Sequence, residues 1–385
     1  MSRIASTIVA SLMCCIVFSA GCGSGANSGG SSSSSGGAVG GGASSGGGAP
    51  DASGPVPKFS LAWSEYPSWS VFGVADEEGI INLKEGELGE VEKKWNVDIV
   101  LNQADYDTCI QQYGNSTADA VCITNMDILA PSASRPAVAI MPTSTSVGAD
   151  ACIAVGISSI DALKGIATHG LEKSVSQYCF ERVLELEGKK PAEFPFQNMD
   201  PGTAATGMQA AQADIKSIMV WNPFVMQTLR NRKDAIVLFD SSKIPEEIID
   251  MVVVGKDSLA KPGGKRFAYA VLDTFYGVNK LLSDPKESDR VLVALGAKFS
   301  SLPLEDMKQV VKQTLFYKSP DDALKLIEGD KFRKETMTQV VDFSTSHGIC
   351  ESKPTVGFGD SSVQLNITSE FLIGLRDGIT PDKVQ

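Results

Sequence analysis

The sequence predicts an α/β protein of two lobes that face each other across a hinged cleft. Three observations predict it. Strand-like and helix-like segments alternate from about residue 57 onward. A second alternating series begins near residue 154. The apolar string DMVVVG, close to residue 254, then leads back to the first series.

The elements follow in order. FSLAWSEY opens as a strand, WSVFGVADEEGI reads as a helix and VDIVLNQ as a second strand. DYDTCIQQYGN is a short helix and ADAVCITN a third strand, so the βαβαβ order implies a parallel sheet with helical crossovers. Two strands, AVAIMPTS and ADACIAVG, flank a polar turn that contains glycine. SSIDALKG is a short helix leading to a weak strand around Ile166 to Thr168. In GLEKSVSQYCFERVLELEG, Val175, Tyr178, Cys179, Val183 and Leu184 fall close to helical spacing. FPFQNMD, a helix GTAATGMQAAQAD, a strand SIMVW, a helix PFVMQTLRN and a strand AIVLFD complete the inserted series. After DMVVVG, the string PGGKRFAYAVLDTFYGVNKLL predicts an amphipathic helix with Phe267, Val271, Phe275, Val278 and Leu282 on one face. The stretch from Cys350 to Leu365 is rich in Gly and Ser and has no clear period. Drawn as domains, residues 57–153 and 255–385 form an outer lobe and residues 154–254 an inner lobe.

The N-terminus sets the compartment. Arg3 precedes an apolar run from Ile4 to Phe18, too short to span a bilayer and ending in Ser19, Ala20 and Gly21, which is the layout of a secretory signal. Cys22 follows at once, and SAGC resembles a bacterial lipobox, whose cysteine is acylated and becomes the new N-terminus. The alternative is an ordinary signal peptide cut near Ala20. Residues 1–21 are therefore read as a lipoprotein signal peptide and 22–56 as a tether, because a Gly/Ser/Ala stretch buries too little apolar surface to fold. Such a coil reaches about 30 Å. The chain is expected to be exported and lipid-anchored at a bacterial membrane, facing the periplasm or the cell exterior.

The net charge of −12 belongs to the part beyond the tether, since Arg3 and Asp51 cancel. An acidic surface argues against nucleic acid, and against the membrane as a partner other than through the lipid on Cys22. Cys109, Cys122, Cys152, Cys179 and Cys350 are an odd count, and buried free thiols are the preferred reading. No CxxC or Cys/His cluster suggests a metal, and no cofactor motif is present. His169 and His347 lack an HExxH or nucleophile-elbow context, so an enzyme is not expected.

Taken together, SEYPSWSVFGVADEEGI, TADAVCITN, GMQAAQADIKSIMVWNPFVMQTL and DMVVVGKDSLAKPGGKRFAYAVL resemble, in order and spacing, the periplasmic substrate-binding proteins of the nitrate, sulfonate, taurine and thiamine-pyrimidine-precursor class. The resemblance covers essentially the whole folded part. It implies a type II periplasmic-binding-protein (Venus-flytrap) fold, a small-molecule ligand, an ABC importer permease as partner and a monomer. It also implies that ligand contacts lie near the turn from Thr143 to Asp150. The cysteine-rich iron motif of the enzymes that make thiamine pyrimidine is absent.

In such architectures ligands meet loops at the carboxyl ends of strands and the N-termini of helices. The first of these loops carries Ser64, Glu65, Tyr66 and Trp69, although Trp69 could instead pack on its own sheet. Thr124 and Asn125 follow the third strand and could equally cap a helix. Thr143, Ser144 and Asp150 are ligand contacts or hinge residues. Ser174, beside Lys173, and Asp200 with Thr203 stand at helix starts, where an anionic group or simple capping would suit them. Trp221 and Asn222 follow a strand directly. Carboxylates among aromatics suit a nitrogen-containing organic solute. A sulfonate- or nitrate-type anion is the alternative, and a ligand sensor or a thiamine-pyrimidine-related enzyme on the same fold is another.

The lipobox reading has a direct consequence. Cys22→Ala is expected to move the mature protein from the membrane to the soluble fraction. A wild-type mature chain that begins elsewhere and carries no lipid, read by intact-mass spectrometry, would refute it.

Overall fold

A computed structural model describes residues 55–384. The signal peptide, Cys22 and nearly all of the tether lie outside these residues. The first lobe begins with β1 (Lys58–Trp63), α1 (Val71–Glu77), α2 (Glu90–Trp95), β2 (Asp98–Gln103), α3 (Tyr106–Gly114), β3 (Ala120–Thr124), α4 (Leu129–Ser134) and β4 (Ala137–Ser146). The second lobe follows with β5 (Asp150–Val155), β6 (Thr168–Gly170), α5 (Val175–Leu186), β7 (Phe196–Asn198), α6 (Pro201–Gln209), β8 (Ser217–Trp221), α7 (Phe224–Asn231) and β9 (Ala235–Asp240). The chain returns through β10 (Ile249–Gly255), α8 (Lys256–Leu259) and the long α9 (Gly264–Ser283). It then adds α10 (Ser288–Lys298), α11 (Leu304–Gln313), β11 (Thr314–Phe316), α12 (Pro320–Glu328), α13 (Met337–Ser346), β12 (Val356–Phe358), β13 (Leu365–Ile367) and α14 (Glu370–Arg376).

The larger sheet runs β12-β13-β4-β10-β3-β1-β2, with β11 extending the pairing of β4. β1 to β3 are parallel, as the βαβαβ order predicts, and β10 runs antiparallel between β3 and β4. All residues of β3, β4 and β10 are buried, which is why β3, Ala137–Met141 of β4 and Met251–Val254 of β10 read as apolar runs rather than alternating ones. The smaller sheet runs β7-β6-β8-β5-β9. Here β5 alternates, with Ala151 and Ile153 packing toward a small core with Val225 and Ala205 while Cys152 and Ala154 join the main core. On α9 the expected face is buried at Phe267, Val271, Phe275 and Val278, with Phe267 stacked on Phe59 of β1 at 4.8 Å; Leu282 is only partly covered.

By strand membership the two crossings between sheets fall at residues 147–149 and 241–248. That differs from boundaries drawn at 153/154 and 254/255. Asp150 to Ile153 pair with β8 and β9 in the smaller sheet, and Asp250 to Val254 pair with β3 and β4 in the larger one. The crossings touch. Ser146 Oγ lies 2.6 Å from Ser241 Oγ, and the Gly148 amide donates to Ser241 Oγ at 2.8 Å. Gly148 has φ +101°, a backbone state that glycine adopts without strain, so the turn between lobes is made in three residues. All five described cysteines are buried and unpaired.

Candidate ligand site

Two neighbouring spaces with shared walls lie between the lobes. An outer cavity of about 510 Å³ is lined by Ser64, Glu65 and the segment 103–107 on one side, and by Leu171, Asp200, Pro201, Trp221 and Phe224 on the other. A chamber of about 20 Å³ lies behind it, bounded by Tyr66, Trp69, Tyr106, Thr124, Asp150, Val175, Trp221, Ile248 and Asp250. Tyr106 and Trp221 belong to both.

The aromatics form one continuous cluster. Tyr66 meets Trp69 at 4.8 Å between ring centroids, Trp69 stacks on Tyr106 at 5.5 Å, and Tyr106 meets Trp221 edge-on at 5.8 Å. Tyr66 and Trp69 come from the loop between β1 and α1 of the first lobe and Tyr106 opens α3 just after β2, whereas Trp221 ends β8 of the second. The sheets aim these loops at each other because each follows the carboxyl end of its strand. Tyr106 is held rigidly: its hydroxyl donates to Asp127 Oδ2 at 2.8 Å and accepts from the Thr124 amide at 3.1 Å.

The charge pattern is one-sided. Glu65, Asp105, Asp107 and Asp200 line the outer cavity and Asp150 and Asp250 the inner chamber, and among the described residues no lysine or arginine lines either. Asp150 accepts from Ser146 Oγ at 2.6 Å. Asp250 accepts from Ser144 Oγ at 2.5 Å, which in turn lies 2.8 Å from Ser68 Oγ. Burial pushes the Asp150 carboxyl up to about 7 against the pull of the Ser146 hydroxyl, and pushes Asp250 well above the usual carboxylate range. Asp127, also raised by burial, lies at about 6. The Tyr66 hydroxyl and the Trp69 indole N–H are buried without a hydrogen-bond partner.

The sequence-derived candidates divide into three groups. Ser64, Glu65, Tyr66, Trp69, Thr124, Asp150, Asp200 and Trp221 line one or both spaces. Ser144 stands just behind, orienting Asp250. Five are taken up elsewhere. Asn125 donates to the Glu247 carbonyl and accepts from the Ile249 amide, both at 3.1 Å. Thr143 bonds Ser68 at 2.9 Å. Ser174 caps α5 by accepting from the Ser176 amide, and Thr203 bonds its own cap, Asp200. Asn222 donates to Gln313 Oε1 at 3.0 Å, with its amide on the Ala149 carbonyl. The α5 N-terminus, read as a seat for an anionic group, is already filled: Asp127 Oδ1 accepts from the Val175 amide at 3.1 Å. Lys173 reaches the Gly348 carbonyl instead. Glu65 accepts from Ser300 at 2.5 Å.

Tyr106 and Asp250 are the important residues that the sequence reading missed. Tyr106 follows a strand end in QADY, so the positional rule applied to the other loops would have found it. Asp250 is the second residue of an otherwise apolar, buried strand, a position where a carboxylate is unusual.

The fold is similar to that of periplasmic binding proteins. The fold is similar to the aliphatic sulphonate-binding protein SsuA of Escherichia coli, with a TM-score of 0.59 at 15% identity, covering 77% of this chain and 94% of that one. It is also similar to the alkanesulfonate-binding protein SsuA of Xanthomonas axonopodis, solved with MOPS bound, with a TM-score of 0.60 at 12% identity over 78% and 96%. The periplasmic nitrate-binding protein NrtA of Synechocystis gives a TM-score of 0.53 at 11% identity over 74% and 85%. No family model and no curated protein sequence matches the chain. These likenesses establish the two-lobe type II fold.

Two measurable consequences follow from the site. A carboxyl raised on folding contributes stability below its unfolded value, near 4, and loses it as pH rises through its folded value. For Asp127 and Asp150 that window ends near 6 and 7. The Tm of the ligand-free protein, followed by calorimetry, should fall by several degrees between pH 5 and pH 8, and Asp150→Asn should flatten the fall. A Tm that rises over this range would contradict the assignment. Asn125→Ala should lower stability by about 1–3 kcal/mol in urea titrations, because it leaves two buried backbone groups unpaired.

Proposed function

We propose that the chain is a solute-binding protein that closes its lobes over a small nitrogen-containing organic solute and delivers it to an ABC-type importer. In this reading the lipid on Cys22 and the Gly/Ser-rich segment hold it at the membrane as a monomer. The observation that carries the reading is the aromatic cluster contributed by both lobes across an acid-lined cavity. A volume of about 510 Å³ is of the size that takes small organic ligands. Neighbours in fold are described as sulphonate- and nitrate-binding proteins, which supports a transport role. The ligand class is argued from this chain's own residues. The outer-cavity carboxylates Glu65, Asp105, Asp107 and Asp200, without a lining base, favour a basic nitrogen over a sulfonate or nitrate, whose charge would meet like charge. The second lobe's helix end that would attract an anion is occupied by Asp127. Neither histidine lines the cavities, which favours a binder over an enzyme.

The test begins with the solute itself. Mature protein purified without dialysis, then unfolded in guanidinium, should release a nitrogen-containing organic molecule detectable by mass spectrometry. Release of a sulfonate alone would reverse the ligand class. With that solute, Trp69→Ala and Trp221→Ala should each weaken binding by roughly 1–3 kcal/mol while leaving a cooperative unfolding transition. Small-angle scattering should show a more compact particle with the solute than without it. Identical compactness would remove the closing motion from the proposal.

A further inference from the structure

The outer cavity and the inner chamber differ in kind. The chamber, at about 20 Å³, is small enough to suit a group of about the size of water. The polar groups of its lining residues are Asp150 from the first position of β5, Asp250 from β10, Thr124, the unpartnered Trp69 indole N–H, and the Tyr66 hydroxyl, which lies near Ser146, Thr314 and Asp250 without the geometry of a hydrogen bond to any of them. Tyr66 is 4% exposed and the phenol is unpartnered, so the chamber offers a buried polar atom with nothing on it. Its remaining walls include the rings of Trp69, Tyr106 and Trp221.

We propose that this chamber seats a primary ammonium group at one end of the solute, held by Asp150, Asp250 and the Tyr66 hydroxyl, while the solute's body fills the outer cavity. The inference rests on the cleft reading above. An ammonium group has three N–H donors and no acceptor, and the chamber supplies three acceptors. It is close in size to water, whereas a trimethylammonium group is not. The aromatic walls stabilise a cation through their ring faces. Asp150 belongs to the smaller sheet and Asp250 to the larger, so a single cation between them joins the lobes next to both crossings. The outer carboxylates, Glu65 and Asp107 among them, draw a cation inward.

Proton exchange accompanies this binding. The groups that act on the two carboxyls are burial, the Ser144 and Ser146 hydroxyls, Tyr66, each other, Asp127 and Asp240, with no lysine or arginine among the strongest. Cys122, Cys179 and Tyr317 also feel their charge, all raised and therefore uncharged near neutrality. Burial accordingly favours the protonated form of both carboxyls in the empty chamber. An arriving ammonium displaces about one of these protons.

Isothermal titration of the mature protein tests this with benzylamine, phenethylamine and 1,4-diaminobutane, each against its N-trimethyl counterpart, and with benzenesulfonate and nitrate. Runs at pH 6.5 in two buffers of different ionisation enthalpy count the protons released. At least one primary amine should bind 100-fold or more tightly than its trimethyl form and release about one proton. Asp150→Asn and Asp250→Asn should each weaken that amine at least tenfold and reduce the proton count. Tyr66→Phe, which removes only one oxygen, should weaken it several-fold with the fold intact. Equal or tighter binding of the trimethyl forms, binding of the anions, or no binding of any primary amine would overturn the proposal. A tight solute that lacks an amine but still depends on Trp69 and Trp221 would leave the cleft reading standing and remove the ammonium seat. Indifference to both tryptophans would remove both.

Discussion

Strands β4 and β10 lie side by side and antiparallel in the larger sheet, and together they carry the chain out to the second lobe and back. Their register places Thr145 opposite Ile249 and Ser144 opposite Asp250. The exit and the return therefore sit at one edge, and β5 and β9 receive them side by side in the smaller sheet, with Ala151 opposite Asp240. The adjacent crossings are joined by Ser146, Gly148 and Ser241, and Asn125 and Asn222 tie nearby backbone to them. A cleft bounded by two sheets and hinged along one edge follows from that pairing. So does the location of Asp150 and Asp250, one on each sheet and both at the base of the cleft.

The cleft's chemistry depends on what the hinge buries. Carboxyls removed from water with only hydroxyls as partners keep their protons to higher pH than usual. Without a lysine or arginine at the lining, their charge can be balanced only by protons or by a cation from outside. Asp127 plays a different part. It orients Tyr106 through the phenol and satisfies the first turn of α5 through the Val175 amide, so one first-lobe carboxylate both positions the central aromatic and occupies the second lobe's positive helix end. That arrangement fills the N-terminal end of α5, where an anionic group could otherwise sit.

Much of this architecture can be read from local strings. The central strands contain apolar runs, α5 and α9 carry apolar faces at helical spacing, and aromatics in loops after strands point to a cleft. Trp69 and Trp221 reach the same chamber for that reason. The C-terminal strands escape such reading. β11, β12 and β13 are three residues each, too short to show a period, and they are strands only because edges of the larger sheet and of its terminal extension accept them.

The sequence by itself determined the α/β class, the two-lobe plan and the loops that face the cleft, because each depends on hydrophobic period and chain order, which are local. Which polar side chains remain free for a ligand was decided only by the tertiary structure. Asn125, Thr143 and Asn222 look like binding residues in their own strings. Yet partners up to 124 positions away claim the hydrogen bonds of Asn125, and a distant glutamine claims Asn222. Asp250, in a strand that reads as pure core, is instead left facing a chamber. A buried polar group takes whichever partner the packed chain brings within about 3 Å, and long-range topology, not neighbouring sequence, decides which partner that is.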